Sequence, residues 1–367
     1  MPKCNALDNH LCVDTDVRFR PCCVFRKRSG NTIEAGGLDW DTYNRTFLND
    51  VKTAMKTGWH IGCESCKLDE LVGKESQRIE YNRTLTGINN QLEFLDISFV
   101  NECNLTCKMC GPPASSKWER LVTKHSNLKT YPYYQLNNYT NRSIHSIIQS
   151  IDFKHVTEIK LQGGEPFIGN NLELMLQEIK NKGSLENISL RTSTNCTAFP
   201  KSVVADLLKF KRVSVALSID GIDELCNYIR TGCSWKKVYK VIKQWIELAN
   251  ANPQITLNTS FTLQALNLHQ FLLVKQWAEN HNIRFYFDIL KGPIELSIYS
   301  LPKDYIMDLG NTGMLDDELI RLLVGPSYDP ANLLKLLTSQ DIAMKTSVKE
   351  VIPLLYKSLM NYNSFLK

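Results

Sequence analysis

The stretch Phe94–Gly111, FLDISFVNECNLTCKMCG, decides the fold of this chain. Its apolar first part, residues 94–100, is typical of a buried strand, and a loop with three cysteines follows directly. Cys103, Cys107 and Cys110 have the spacing C-x3-C-x2-C. Three thiolates on one short loop can hold three corners of a [4Fe–4S] cubane, whereas ordinary electron-transfer clusters use four cysteines. The spacing therefore predicts a cluster with one iron open to a small molecule.

A zinc ion is the alternative ligand for this loop. Structural zinc needs four protein ligands, usually from two close pairs, and the loop offers only three cysteines. The residue types therefore favour iron and sulfide over zinc at this position.

Strand patterns alternate with helix patterns from residue 94 onward. The predicted strands are 94–100, 157–162, 187–193, 212–219, 254–261 and 284–290. The predicted helices between them are 115–125, 172–182, 201–209, 234–249 and 268–280. Connections of this length favour a parallel α/β sheet. Eight such units close a full barrel, so six predict a partial (β/α)6 TIM-like barrel that is open at one side.

Composition and charge limit the classes of partner. A formal charge of +5 on 367 residues is mild and does not argue for a nucleic-acid partner. No apolar run approaches the roughly 18 residues of a membrane span, and the N-terminus has no signal-peptide core. We therefore expect a cytoplasmic protein without a membrane partner, whose twelve cysteines are metal ligands or free thiols.

Three sequence elements together resemble the radical S-adenosylmethionine (radical SAM) superfamily. They are the three-cysteine loop, the run Gly163-Gly164-Glu165-Pro166 after the second strand, and Ser218-Ile-Asp-Gly221 with Tyr228-Ile-Arg230 after the fourth. The third element is similar to that of peptide-modifying and related members with SPASM or twitch extensions. The resemblance covers roughly residues 90–290.

The resemblance implies a reaction and its cofactors. The open iron of the [4Fe–4S] cluster would bind the amino and carboxylate groups of S-adenosylmethionine (SAM). Reductive cleavage would give methionine and a 5′-deoxyadenosyl radical, which takes a hydrogen atom from the substrate. A flavodoxin- or ferredoxin-type protein would donate the electron, and the enzyme would supply placement and exclusion of water.

The resemblance also implies the site residues. Catalytic cluster ligands would be Cys103, Cys107 and Cys110. Cofactor-binding residues would be Gly163, Gly164, Glu165, Pro166, Asn195, Ser218, Asp220 and Arg230. The glycines would let the main chain approach the methionine amino group, and Arg230 would hold the carboxylate. Plain turn glycines and a surface arginine are the structural alternatives. Cys196 stands where relatives often have the glycine of Thr-Asn-Gly.

A second group of cysteines lies in the first 66 residues. It resembles the SPASM or twitch module, which in most relatives follows the barrel instead of preceding it. The resemblance implies an auxiliary [4Fe–4S] cluster on Cys4, Cys22, Cys63 and Cys66, with zinc as the alternative. Cys12 falls on an alternating strand, 10–13, that can pair with 17–20, and it is more simply a packed thiol.

The predicted organisation has three parts: a module at 1–90, a core barrel at 91–295 and a helical C-terminal segment at 296–367. The leading functional hypothesis is a radical SAM enzyme (an oxidoreductase or transferase) acting on a peptide or protein side chain. The alternatives are a dehydrogenase or mutase acting on a sugar or nucleoside, and a non-catalytic iron–sulfur or zinc-binding protein.

Overall fold

The computed structural model describes residues 2–25, 33–34, 40–88, 91–136 and 144–365. Its strands are β1 His10–Val13, β2 Arg18–Arg20, β3 Ile33–Glu34, β4 Phe94–Ser98, β5 Glu158–Gln162, β6 Ser189–Thr194, β7 Arg212–Leu217, β8 Ile255–Thr259, β9 Phe261–Leu263 and β10 Phe287–Ile289.

Helices flank these strands, with short 3₁₀ turns between them. The N-terminal helices are α1 Ala6–Asn9, α2 Trp40–Arg45, α3 Phe47–Thr57, α4 Glu64–Leu71 and α5 Gln77–Thr84. Those of the barrel are α6 Ser116–Lys124, α7 Ile144–Ser150, α8 Asn171–Lys182, α9 Val204–Leu207, α10 Asp223–Ile229, α11 Trp235–Ala251 and α12 Phe271–Asn280. The C-terminal helices are α13 Lys303–Asn311, α14 Asp317–Leu322, α15 Pro330–Met344, α16 Val348–Val351 and α17 Pro353–Phe365.

The predicted parallel sheet is confirmed. The main sheet has the order β3-β2-β1-β4-β5-β6-β7-β8, and each neighbouring pair from β1 to β8 is parallel. β9 follows β8 after one residue and pairs in parallel with β10, while Asn258 bridges Arg284. The last strand of the barrel is shorter than the predicted 284–290, because only residues 287–289 form regular pairs.

The N-terminal segment contributes to this sheet. β1 and β2 form the antiparallel pair that the sequence predicts. β1 also pairs in parallel with β4, with His10 opposite Phe94. The predicted division at residue 90 therefore separates two segments that share one hydrogen-bonded sheet.

The two faces of the barrel strands differ in polarity. On β7, Val213, Val215 and Leu217 are fully buried on the face covered by the helices, where Ile242 and Trp245 of α11 are also buried. The opposite face carries a row of polar side chains in register across six parallel strands: Cys12, Asp96, Lys160, Arg191, Ser214 and Thr256. We call this set the polar row.

The prediction that the C-terminal segment is helical is confirmed. Its helix α15 contacts both α17 and a 3₁₀ turn that follows the barrel. In the part of the chain that the structure describes, no helix is both long enough and apolar enough to span a bilayer.

Candidate active site

The cysteine loop leaves the end of β4, at the edge of the sheet where the parallel strands all end. Cys107 is buried, and the other two cysteines of the loop are half-buried. Two side chains near the start of α6 hold the loop: Trp118 Nε1 donates to the carbonyl oxygen of Cys107 (2.9 Å), and Ser115 Oγ donates to that of Leu105 (2.6 Å). The loop conformation is therefore fixed by the helix that follows it.

The glycine pair after β5 packs against this loop. Gly163 and Gly164 have φ of +79° and +52°, a region that favours glycine. A Cβ on Gly164 would overlap the carbonyl oxygen of Glu102, and the amide of Glu165 donates to that same oxygen (2.8 Å). The resemblance implies that the glycines let the main chain approach the cofactor. In this structure the main chain at Gly164 approaches the cysteine loop at Glu102.

Glu165 ties the loop after β5 to the loop after β6. Its buried carboxylate accepts hydrogen bonds from Thr194 Oγ1 (2.8 Å) and from the amide of Asn195 (2.6 Å). Burial raises the pKa of Glu165 to about 7, against the lowering effect of these hydrogen bonds. Pro166 follows directly and is buried.

Asn195 lies beside the cysteine loop, and its role as a cofactor-binding residue stays a prediction. Its Nδ2 donates to Asn104 Oδ1 (3.0 Å) and lies 3.8 Å from the Sγ of Cys103. The next residue, Cys196, has φ +57°, which explains why glycine suits this position in relatives. Ser218 comes after β7, where its amide donates to the carbonyl oxygen of Thr194 (2.9 Å).

Arg230 brings a buried cation to the thiols. Its Nη1 lies 4.0 Å from the Sγ of Cys107, and its Nη2 forms an ion pair with Asp220 Oδ2 at 2.6 Å. Asp220 also accepts from the amide of Thr262 (2.7 Å), so in this structure its carboxylate serves to hold the arginine. The Nε of Arg230 is buried and has no hydrogen-bond partner among the described residues. That N–H is available to an anionic ligand.

The thiols of this site differ in acidity: the hydrogen bond with Cys107 lowers the pKa of Cys110, whereas the pKa of Cys103 is raised. Burial raises the pKa of Cys103 to about 11, so the free thiol is protonated at neutral pH. Binding to iron would release the proton, and the positive charge of Arg230 would favour the resulting thiolates. The donor set and its charge therefore suit an iron–sulfur cluster.

The thiols do not converge on one point. Over the described ranges, no three His, Cys, Asp or Glu side chains surround a single metal-ion position. A zinc ion needs ligands around one point. In a cubane each cysteine binds its own iron, so the three sulfurs of one loop need not share a single metal ion.

The comparison with protein families agrees with this geometry. Residues 97–271 match the family model described as Radical SAM superfamily. The chain contains a radical SAM domain. The domain begins within β4 and ends at the start of α12, so it includes the cysteine loop, the glycine pair and Arg230. This family implies a [4Fe–4S] cluster and SAM as cofactors.

Curated relatives of the radical SAM domain include two kinds of enzyme. The chain is 25% identical over 185 residues to GTP 3',8-cyclase of Desulforamulus reducens, covering 50% of each chain. It is 25% identical over 263 residues to the radical SAM cyclopropyl synthase TigE of Paramaledivibacter caminithermalis, covering 69% of this chain and 53% of that protein. The chain thus spans about half the length of these relatives.

Among solved structures, the chain is similar to Streptococcus suis SuiB bound to the precursor peptide SuiA. The identity is 17% and the TM-score 0.37, with 83% of this chain and 61% of that chain covered.

The N-terminal cysteines form a second group beside the radical SAM domain. One cavity is lined by all four predicted auxiliary ligands, Cys4, Cys22, Cys63 and Cys66, together with apolar side chains that include Met55 and Trp59. Burial raises the pKa of Cys4 to about 11 and that of Cys63 to about 12. The assignment of this segment to the SPASM or twitch type stays a prediction.

The other two N-terminal cysteines do not line that cavity. The Sγ of Cys12 lies 3.7 Å from Nη2 of Arg20, on the polar row, and that of Cys23 lies 3.8 Å from the hydroxyl of Tyr81. Their positions agree with the interpretation of Cys12 as a packed thiol and with only one of the adjacent pair Cys22 and Cys23 reaching the cavity.

No sequence pattern singles out the residues that hold the radical SAM loop from behind. Lys108 lies inside the loop and is fully buried, with Asp341 of α15 as its partner. The only signal for this contact is a lysine among three predicted ligands, and its partner lies 233 residues further along the chain.

Proposed function

We propose that this protein is a radical SAM enzyme in which Cys103, Cys107 and Cys110 hold a [4Fe–4S] cluster with one open iron. The observation that carries the proposal is the buried arginine beside a three-cysteine loop. Arg230 is held by Asp220, lies 4.0 Å from Cys107 and keeps one buried N–H without a partner. A thiolate cluster and a carboxylate ligand such as that of SAM both call for a cation at this point.

The loops after the strands have separate roles in this proposal. Arg230 binds the carboxylate of SAM, while Asp220 orients the guanidinium. Glu165 and the glycine pair hold the loops after β4, β5 and β6 together, so that Asn195 lies at Cys103. Ser218, at the end of β7, adds a hydroxyl on the polar face of the sheet.

When bound, the cluster supplies the electron that cleaves SAM and so generates the radical that abstracts hydrogen from the substrate. The residues of this chain contribute placement and exclusion of water. Helices bury the far face of the sheet. The polar row, which runs from buried Cys12 and Asp96 to exposed Thr256, gives a polar substrate hydrogen-bonding groups in the barrel.

A peptide or protein side chain is the substrate class that we propose first. Its support is the cysteine pattern before the barrel, which resembles modules of peptide-modifying relatives, and the four cysteines that line one cavity there. An auxiliary [4Fe–4S] cluster on Cys4, Cys22, Cys63 and Cys66 belongs to this proposal, because four thiols that line one cavity are a complete ligand set for a closed cluster.

A nucleotide is the second candidate substrate. The observation in its favour is the likeness of the radical SAM domain to GTP 3',8-cyclase, over half of each chain. Arg191, Arg212 and Arg284 also line a cleft at the start of the barrel strands, where a phosphate could bind.

The test of the proposed reaction is SAM cleavage by the reconstituted protein. With dithionite as reductant, the wild-type chain is expected to produce 5′-deoxyadenosine, and C103A is expected to reduce this to background, because two thiolates do not hold the cubane. C233S is the matched control, since Cys233 touches Cys226 and neither cysteine group. Cleavage that persists in C103A contradicts the proposal.

The same assay distinguishes the substrates and the natural donor. Deuterium from a labelled peptide or from a labelled nucleotide should appear in 5′-deoxyadenosine only for the substrate class that binds. Replacing dithionite with a reduced flavodoxin or ferredoxin tests the electron donor. Iron analysis of the reconstituted chain distinguishes two cubanes, about eight irons, from one cubane with a zinc ion in the N-terminal cavity.

A further inference from the structure

Lys108 is a fully buried lysine between the second and third cysteines of the loop. Its Nζ lies 2.8 Å from Asp341 Oδ1 and 3.1 Å from Thr346 Oγ1, and 4.2 Å from the centre of the Tyr228 ring. Lysine is rarely buried unless it is paired. This lysine is paired with the C-terminal helix α15 and with the residues just after it.

The main chain of Lys108 is held by the same surroundings. Its amide donates to the carbonyl oxygen of Ile229 (2.8 Å). Its own carbonyl oxygen accepts from Gln340 Nε2 of α15 (2.8 Å) and lies 3.4 Å from the hydroxyl of Tyr134. Both the ammonium and the peptide groups of this one residue are therefore engaged, and α15 contributes to two of these contacts.

Asp341 joins three elements behind the loop. Its Oδ1 accepts from Tyr228 Oη of α10 (3.0 Å) and from Thr346 Oγ1 (2.7 Å), in addition to Lys108. Its Oδ2 accepts from the amide of Val348 at the start of α16 (2.7 Å). The carboxylate thus links the cysteine loop, the helix that precedes Arg230, and the turn that ends α15.

This network also determines where Arg230 lies. The loop forms main-chain hydrogen bonds on either side of the arginine, from Lys108 to Ile229 and from Thr106 to Thr231 (2.9 Å). These bonds therefore fix the main chain of Arg230 relative to that of Cys107. A shift of the loop away from α15 would change the distance between this cation and the thiols.

A buried ion pair of this kind adds little to net stability, because desolvation of both charges offsets their attraction. Leaving one charge without its partner is nevertheless costly. Such a pair is therefore better suited to specifying the relative position of two elements than to holding the fold together.

We propose that Lys108 and Asp341 are positioning residues that fasten the C-terminal helix α15 to the cysteine loop, so that residues 330–348 form part of the cofactor site. This rests on the proposed function in one respect, namely that the ligand of the loop is a cluster that binds SAM. The fastening itself is a property of the protein and can be measured without the cluster.

The first experiment measures hydrogen exchange in the full chain, with and without the reconstituted cluster. In D341N the ammonium of Lys108 loses its charged partner. We expect amides in 104–110 and in 336–344 to exchange about tenfold faster, together. K108M/D341N removes both charges and should return both segments to within about threefold of wild type. D206N is the matched control, because Asp206 pairs with Lys180 at an exposed site (2.9 Å).

Faster exchange in α15 alone, with the loop unchanged in D341N, overturns the proposal. So does an equal response to D206N. If D341N does not fold, the double variant and K108M alone decide the question by the same comparison. If the wild-type chain binds no cluster, the proposed function fails, while the exchange data still decide whether α15 fastens the loop.

The second experiment asks whether the pair positions the site and does not merely stabilise it. The reduced cluster of the wild type should show a change in its electron paramagnetic resonance spectrum when SAM is added. At equal iron content, D341N should lose most of that change, and K108M/D341N should recover it. An unchanged response in D341N shows a purely structural pair and overturns the positioning role.

Discussion

The two groups of cysteines in this chain lie in different surroundings. At the central loop, three thiols lie beside Arg230, which is buried and paired with Asp220 at 2.6 Å. In the N-terminal cavity, four thiols are surrounded mainly by apolar and aromatic side chains. Arg78 lines that cavity too, but its guanidinium is paired with Glu70 at 2.8 Å and lies 5.5 Å from the centre of the Trp59 ring.

The difference shows how similar ligands can serve two purposes. Four cysteines complete the coordination of a cubane and leave no iron for a substrate. Three cysteines with a buried cation leave one iron open and provide a partner for an anionic ligand. The number of thiols and the availability of the arginine, and not the presence of cysteines alone, distinguish the site where we place the chemistry.

Removing the N-terminal ligands gives the largest test of this contrast. C63S/C66S should lower the iron content of the reconstituted chain from about eight to about four atoms, because half of one ligand set is lost. SAM cleavage with dithionite should persist, since no cysteine of the central loop lines the N-terminal cavity. Iron analysis and the yield of 5′-deoxyadenosine measure both effects. Loss of cleavage with the central cluster intact would show that the sites depend on each other.

Alanine substitution of one glycine in each region shows how much backbone strain the two regions tolerate. G164A should lower the free energy of unfolding by about 3 kcal/mol, because the new Cβ overlaps the main chain of Glu102 at a positive φ. G73A, at the turn after α4 in the N-terminal segment, also has a positive φ, of +74°, but open space around it, so a loss of about 1 kcal/mol is expected.

Denaturant unfolding of the two glycine variants, without cluster, measures this difference. Equal losses for G164A and G73A would mean that the cysteine loop yields to the new methyl group, and that the close approach of the two loops is not required.

Replacing Arg230 or Arg78, one arginine from each cysteine group, should give the smallest of these effects. R230K keeps the charge but loses the planar fork, so SAM should bind about tenfold more weakly while the iron content stays the same. R78K should leave SAM binding unchanged, because Arg78 lines the N-terminal cavity. Titration of each reconstituted variant with SAM gives the two dissociation constants. Equal weakening in both variants would refute the assignment of the carboxylate to Arg230.

The barrel and its cysteine loop could be predicted because their signals are local. Alternating strand and helix patterns require only neighbouring residues, and the three cysteines lie within eight positions of each other. The sequence also singles out Gly163 and Gly164, although the reason differs in this structure: Gly164 packs against the main chain of Glu102, and Gly163 packs against Ser98 and Phe99 at the end of β4.

The remaining features depend on contacts between distant residues. A lysine beside a predicted ligand is expected at the surface, and nothing near Lys108 in the sequence reveals the carboxylate that pairs with it from α15. Asp220 follows a strand and so resembles a ligand residue, but only the fold shows that its carboxylate faces Arg230. The pairing of β1 with β4 likewise joins strands about 80 residues apart.

That pairing has a consequence for the edge of the barrel. Because β1 covers β4, the first barrel strand presents no free N–H and C=O groups along this side. A chain shortened to begin at residue 91 would expose them, together with the apolar strand itself, as a template for another molecule's strand. The N-terminal segment therefore protects the edge of the barrel from pairing with another molecule. Since β1 is synthesised before β4, it stays without this partner until β4 has been made.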